Sequence, residues 1–395
     1  MTGTSAVRPR VRARLVGLLA LGLPITLIVG CNRSHGNFSQ HPGFAAYFAT
    51  HPPSGTAATP DEQALLARHR PRLFLPAGHP GPIDFYADYI AHGRLTDGAG
   101  RLASTRVTPA TLNALKRAPG AVFVHEPGPE PPARVIYGRV DRETVTFPTD
   151  TGPVAEPFTF LTYHVVFRLS GLPAGLPAWQ AALLRLVASL DDWHQLDHYT
   201  AAILALDRDL VPVALTLQQH DHMRTYVLGA ELRAPGAGRV AVDVAIRSNE
   251  LYPHVPGRTR HRAVGMPDPA GMRYLITGRK PPFFSADDVT ESVAEIEYAL
   301  MFLPKDDAFY TFQGYLGERR RLRGREGPPG ADYNTLPSLK PRGVQMLAFY
   351  WRDGDADDLA RFEASLRSPD PLLAFARAQA SVFYRRLREA GGAAW

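Results

Sequence analysis

The side chains best suited to chemistry are concentrated in residues 194–261. Six of the fourteen histidines fall there: His194, His198, His220, His222, His254 and His261. Acidic residues accompany them, among them Asp197 and Glu250. Neutral imidazole is a common metal ligand and the usual acid or base near neutral pH, and carboxylates supply further ligands or orient the rings. This stretch is therefore the candidate site.

A β-hairpin would bring two of these histidines together. If residues 198–220 form one hairpin centred on Asp209, paired positions sum to 418 and His198 faces His220. Directly opposed side chains lie about 4.5–5.5 Å apart on one face. The two imidazoles could then share one divalent cation, whereas a slip of one residue in register would separate them.

Further ligands would have to come from the loop that follows a strand at 239–247. That loop supplies Glu250 and His254. The predicted metal ligands are thus His198, His220 and His254, with Asp197 and Glu250 as catalytic carboxylates. Two other interpretations stay open: metal-free His/Asp catalysis, or histidines that only form hydrogen bonds at the rim of a sheet. The HExxH motif and paired cysteine ligands are absent from the sequence.

Three short elements of this stretch resemble motifs of known families: Asp197-His198-Tyr199-Thr200, Gln219-His220 and Asn249-Glu250-Leu251-Tyr252-Pro253-His254. They are similar to the vacuolar protein sorting-associated family sixty-two and to the necrosis-inducing toxin-like proteins, although the Trp-Glu pair of those motifs is missing. The resemblance covers residues 190–260. The resemblance implies a β-sandwich. The toxin-like proteins also imply a divalent cation held by acidic and histidine side chains. The resemblance does not indicate any particular enzyme activity.

A second charged feature follows near the C-terminus. Five arginines occupy seven positions: Arg319, Arg320, Arg321, Arg323 and Arg325. Guanidinium groups bind phosphate and carboxylate in a fork, so an anionic glycan or lipid is the predicted partner. The alternative is a solvated loop with salt bridges to Glu318 and Glu326.

The N-terminal residues predict export to the cell envelope. Four arginines lie in residues 8–14, and an uncharged apolar run of residues 15–30 ends at Cys31, the only cysteine. Such a run is short for a membrane-spanning helix and typical of a signal peptide. Ile28-Val29-Gly30-Cys31 resembles the bacterial lipobox, which implies cleavage after residue 30, lipidation of Cys31 and anchoring to the bacterial envelope, with Asn32 favouring the outer membrane.

Residues 31–60 are rich in Ser, Gly, Pro and Thr and predict a flexible tether. The remainder, 61–395, is expected to form one large β-rich domain. Strands are predicted at 121–124, 134–140, 158–169, 198–206, 212–220 and 239–247. Helices are predicted from Pro60, over 177–192 and within 355–389. The pattern indicates an α+β fold, a mainly antiparallel β-sandwich with peripheral helices.

Composition narrows the function further. The net charge is +6, of which four charges belong to the predicted signal peptide, so the remainder gives no case for nucleic-acid binding. GxSxG, Walker and GxGxxG motifs are absent. Three functions remain: a lipid-anchored binding or structural module with a His-rich polar pocket, a metal-dependent envelope hydrolase, or an assembly factor that uses the arginine-rich loop.

Overall fold

The fold is that of a computed structural model, which describes most of the middle of the chain. The described residues are 56–126, 133–149, 152–172, 194–198, 200–219, 222–228, 238–257, 259–263, 285–289, 294–318, 327–328 and the single positions 174, 178 and 182.

The largest element is a six-stranded sheet with the strand order β15-β5-β6-β7-β8-β9. All of its pairs are antiparallel except β15 with β5. Its strands are β5 (Val135–Thr149), β6 (Gly152–Val165), β7 (Ala201–Leu206), β8 (Pro212–Gln219), β9 (His222–Val227) and β15 (Ala299–Met301).

A four-stranded sheet has the order β11-β10-β1-β14 and is assembled from distant parts of the chain. Strand β1 pairs in parallel with β10 and antiparallel with β14. The strands are β1 (Arg72–Leu75), β10 (Ala241–Val244), β11 (Leu251–Pro253) and β14 (Ala294–Ile296).

Two smaller sheets complete the described strands. One has the order β3-β2-β4, and the other pairs β12 with β13. Their bounds are β2 (Gly93–Thr96), β3 (Leu102–Ser104), β4 (Val122–His125), β12 (Arg260–Ala263) and β13 (Ser285–Asp288).

The described helices are short and peripheral. Helix α1 (Pro60–His69) begins with a capping box, in which Thr59 accepts from the amide of Glu62 and Glu62 accepts from the amide of Thr59. A π-helical turn (Phe85–Ile90), α2 (Pro109–Ala114) and α3 (Ala308–Thr311) follow. Among the helices of the described ranges, none is long and apolar enough to cross a membrane.

Both faces of the six-stranded sheet are covered by apolar side chains. On the inner face, Leu161, Tyr163 and Leu204 share a core with Leu73 and Val242 of the four-stranded sheet, so these two sheets form a sandwich. On the outer face, a second core holds side chains from β5, the residue after β6, the π-helical turn, β4 and α3: Tyr137, Val166, Phe85, Phe123 and Phe309. The six-stranded sheet is therefore the central layer.

The predicted fold class is confirmed, because the strands lie mainly in antiparallel sheets and the helices are few. Each of the six predicted strands overlaps an observed one, and α1 begins at Pro60 as predicted. The helices predicted at 177–192 and 355–389, residues 1–55 with Cys31, and the arginines 319–325 lie outside the described residues, apart from two isolated positions in the first helix.

Candidate functional site

A hydrogen-bonded chain of polar side chains connects a buried carboxylate to the surface at one end of the sandwich. The Asp197 side chain is fully buried. Asn249 Nδ2 donates to Asp197 Oδ2 at 2.8 Å, and Asn249 Oδ1 lies 3.0 Å from His79 Nε2. His79 is only half-buried. We call these three residues the polar relay.

The turn between β10 and β11 holds Asn249 in place. Asn249 and Arg247 both have a positive φ, 62° and 70°, which is uncommon for residues other than glycine. The amide of Ala245 donates to the carbonyl of Glu250 at 2.9 Å and closes the turn. Asn249 Nδ2 also donates to the carbonyl of Leu169 at 2.7 Å. The strained backbone thus directs the amide into the end of the sandwich.

Asp197 is positioned by a backbone bridge between the segment before β7 and the segment after β6. Its backbone exchanges two hydrogen bonds with Phe167, at 2.7 and 2.9 Å. The hydroxyl of Thr200 donates to Asp197 Oδ1 at 2.9 Å. Each carboxylate oxygen therefore accepts a hydrogen bond, one from the same segment and one from the β10–β11 turn.

The hydrogen bonds fix the direction of the relay. The amide of Gly81 donates to His79 Nδ1 at 3.0 Å, so this nitrogen is the acceptor and Nε2 carries the proton. Nε2 then donates to Asn249 Oδ1, and the Asn249 amide donates to Asp197. Burial lowers the pKa of His79, and the Asn249 hydrogen bond offsets part of this. The neutral ring therefore suits the geometry.

Three of the predicted site residues are buried near this end of the fold: Asp197, His198 and Glu250. Asp197 belongs to the relay, and Glu250 follows Asn249 directly. His198 lies close enough to His164 on β6 to lower the pKa of that ring. The structure thus brings Asp197 next to the β10–β11 turn, with Asn249 as the residue in direct contact.

His254 has a different partner from the one predicted. Its Nδ1 lies 2.7 Å from an oxygen of the buried Asp243, and its ring stacks on Phe74 at 3.9 Å. Both partners belong to the four-stranded sheet. Asp243 holds the imidazole through Nδ1, and the role of His254 as a metal ligand stays a prediction.

The predicted register of the hairpin is wrong by one residue. The turn at Asp207–Leu210 is confirmed, since the amide of Leu210 donates to the carbonyl of Asp207. Leu206 pairs with Pro212, which agrees with a sum of 418, but a bulge shifts the register and Ala205 to Ala202 pair with a sum of 419. His198 precedes the strand. His220 lies outside the described residues, so its predicted role as a ligand is untested.

No group of three or more His, Cys, Asp or Glu side chains within the described ranges is arranged to hold a metal ion.

The sequence does not indicate a role for His79, and it indicates Asn249 only as the first residue of the motif Asn249-Glu250-Leu251-Tyr252-Pro253-His254. His79 lies in the run Gly78-His79-Pro80-Gly81, which reads as a turn and gives no sign of a partner 170 positions away. Asn in a short polar run after a strand is a signal for positive φ. The contact itself depends on tertiary structure.

Comparisons with known proteins give distant structural similarity only. No protein-family model and no curated protein matches the chain. A solved structure described as "Toxin fold as basis for microbial attack and plant defense" is 14% identical and is matched over 51% of this chain and 72% of its own, with a TM-score of 0.25. "NLPPya in complex with mannosamine" is 13% identical, over 51% and 71%, also with a TM-score of 0.25. These structural neighbours are necrosis-inducing toxin-like proteins.

Proposed function

We propose that this chain is an envelope-anchored binding module whose ligand site is the end of the sandwich around the polar relay. The observation that carries the proposal is the hydrogen-bonded path from the buried Asp197 through Asn249 to the half-buried His79. Three segments distant in sequence build it. Its polar groups add nothing to the apolar core, and they position one imidazole at the surface.

The surroundings of His79 favour an uncharged, hydroxyl-rich ligand. The relay fixes a neutral imidazole, and the ring meets Phe167 edge-on at 5.3 Å. Leu169, whose carbonyl accepts from Asn249, is 48% exposed. A neutral ring held in place beside exposed apolar surface offers the kind of face on which a sugar ring can pack. Glycans of the envelope are therefore the ligand class to test.

Location at the cell envelope is part of the same proposal. Lipidation at Cys31 would hold the module at the envelope, and Arg319 to Arg325 would add contacts with anionic glycan or lipid. We expect wild-type cells to incorporate labelled palmitate into the protein and Cys31→Ser cells to lose both the label and membrane fractionation.

The metal-dependent hydrolase is the alternative, with His198 and His220 as ligands of one divalent ion and Asp197 or Glu250 as ligand or base. His194, His198 and Glu250 are buried in the same region, which supports a test with metal ions. The hydrolase function requires at least one further metal-coordinating side chain from outside the described residues.

Calorimetric titration of the purified full chain with soluble peptidoglycan fragments and lipopolysaccharide oligosaccharides tests the proposal. We expect binding that weakens about tenfold in His79→Ala, because the substitution removes the ring face that a sugar would contact and the partner that holds Asn249 in place. His125→Ala is the matched control: His125 is also half-buried and stacks on Tyr89 at 4.4 Å, away from the relay.

Two results would count against the binding module, and a third would favour the hydrolase. Glycan affinity that is equal in His79→Ala and wild type, or no glycan binding at all, contradicts the proposal. Mn²⁺ or Zn²⁺ binding that is lost in His198→Ala, without glycan binding, would replace it with the hydrolase.

A further inference from the structure

The outer face of the six-stranded sheet carries a buried polar cluster that the relay does not use. Its members are Arg139 on β5, Thr162 and His164 on β6, and Tyr310 on α3. Arg139 is 3% exposed and the other three are fully buried. We call them the outer-face cluster.

Contacts between neighbours show that the four side chains share one space. Arg139 and Thr162 are cross-strand partners, and His164 follows Thr162 on the same face. The Arg139 guanidinium carbon lies 5.0 Å from the centre of the Tyr310 ring. The rings of Tyr310 and His164 are 5.4 Å apart.

Each member holds at least one polar atom that lacks a hydrogen-bond partner among the described residues. These atoms are Arg139 Nη1, Thr162 Oγ1, both ring nitrogens of His164 and the hydroxyl oxygen of Tyr310. A buried polar atom without a partner costs about 1–3 kcal/mol. Several such atoms in one place indicate a missing ligand, ion or water.

The cluster is rich in donors. The Arg139 guanidinium only donates, and the Tyr310 and Thr162 hydroxyls can donate. Asp141 pairs with Arg139 at 2.9 Å and also with Lys305 at 2.9 Å, and Asp307 is a second carboxylate close enough to act on Tyr310. The two cations and two carboxylates balance, and it is the donors without partners that suit an anion.

We propose that the outer-face cluster is a binding site for one small oxoanion, of the size of phosphate or acetate. The anion would accept from Arg139 Nη1, Thr162 and Tyr310. This site is separate from the polar relay and would stand if the glycan proposal failed.

His164 gives the site a pH dependence. Burial, Arg139 and His198 lower the pKa of this ring well below its usual value, so it is neutral in the empty site. A bound anion favours the imidazolium, in which both nitrogens donate. The ionisable groups around it lie on β5, before β7 and in the 305–310 segment: Tyr137, Arg139, Asp141, His198, Lys305, Asp307 and Tyr310. Binding should therefore take up one proton and tighten as the pH falls.

The test measures thermal unfolding and calorimetric binding of the full chain in bis-tris hydrochloride, with phosphate, sulfate or acetate added at constant ionic strength against sodium chloride. We expect at least one oxoanion to raise the Tm and to bind about tenfold more weakly in Tyr310→Phe and in Thr162→Val. Both substitutions remove one hydroxyl and preserve the shape of the core. Binding in two buffers of different ionisation enthalpy should show the proton uptake.

Tyr163→Phe is the control, because this tyrosine lies on the same strand, faces inward and donates to the carbonyl of Leu66. It should leave oxoanion binding unchanged. The proposal is overturned if no oxoanion changes the Tm of the wild type, or if binding persists in both variants. Lower stability of Tyr310→Phe and Thr162→Val without any oxoanion effect would show an enclosed water instead.

Discussion

Asn249 is the residue on which the polar relay depends. Its amide donates to Asp197 and to the carbonyl of Leu169 and accepts from His79, all within a turn at positive φ. Removal of the amide leaves a buried carboxylate and a carbonyl with fewer donors, which is the costly side of a hydrogen-bond substitution.

We therefore expect Asn249→Gly to lower the free energy of unfolding by about 2–3 kcal/mol. Arg247→Gly, at the other positive φ of the same turn and with an exposed side chain, should change it by less than about 1 kcal/mol. Glycine relieves the backbone at both positions, so the difference isolates the amide. Urea unfolding measures both; equal losses would mean that the backbone alone matters.

Buried histidines predict sensitivity to acid. Burial lowers the pKa of His164, His79 and His125. Below about pH 6.5 the unfolded chain binds protons at these rings and the folded chain does not. Their contribution to stability is thus complete above that pH and is lost as the pH falls toward the folded-state pKa values.

The Tm in bis-tris hydrochloride should fall between pH 7.5 and pH 5.5, with up to about 1.4 kcal/mol lost per pH unit and ring. His164→Gln should flatten this dependence more than His125→Gln, because His164 is fully buried and His125 only half-buried. Identical pH profiles for the two variants and the wild type would argue against the buried neutral ring.

At the scale of elements, β5 and β6 differ along their length. Thr159 to His164 pair with β5 on one side and with β7 on the other. The preceding part of β6, from Pro153 to Phe158, pairs only with β5 in the described structure. Residues 152–157 alternate between half-buried and exposed. A two-stranded ribbon has little stability of its own.

Hydrogen exchange should separate these two parts of one strand. Amides of residues 154–156 are expected to exchange at least about tenfold faster than the hydrogen-bonded amides of residues 159–164, because the ribbon opens without disturbing the sandwich core. Equal protection along β6 would show that another part of the chain covers the ribbon.

The elements also explain which predictions succeeded. Strands with long apolar or β-branched runs, such as 158–169 and 198–206, were identified because local sequence favours them. The Asp207–Leu210 turn was identified by its polar residues. The bulge beside Ala205 has no such local signal, and it shifts the pairing of Ala202 to Ala205 by one residue from the predicted register. Strands β1 and β14 were missed because runs of three or four residues have no clear period, whereas the equally short β4 and β10 were identified by their β-branched residues.

The candidate site was predicted in part for the same reason. Asp197 and Glu250 lie close to strands that sequence could place, and both are buried, while their predicted catalytic role stays a prediction. The contacts of Asn249 with His79, and of His164 with Tyr310, join segments more than 140 positions apart. Only tertiary structure brings such groups together, and periodicity within one segment carries no information about it.

At the scale of the whole molecule, β1 has a position that constrains how the protein is made. It lies between β10 and β14, so its two neighbours come from residues 241–244 and 294–296. A ribosome that has released residues 72–75 must add more than 200 further residues before both edges of this strand are covered. Until then the backbone N–H and C=O groups of Arg72–Leu75 are unpaired and can pair with another chain. Early stages of synthesis therefore call for a chaperone, or for delayed folding, to prevent association between nascent chains.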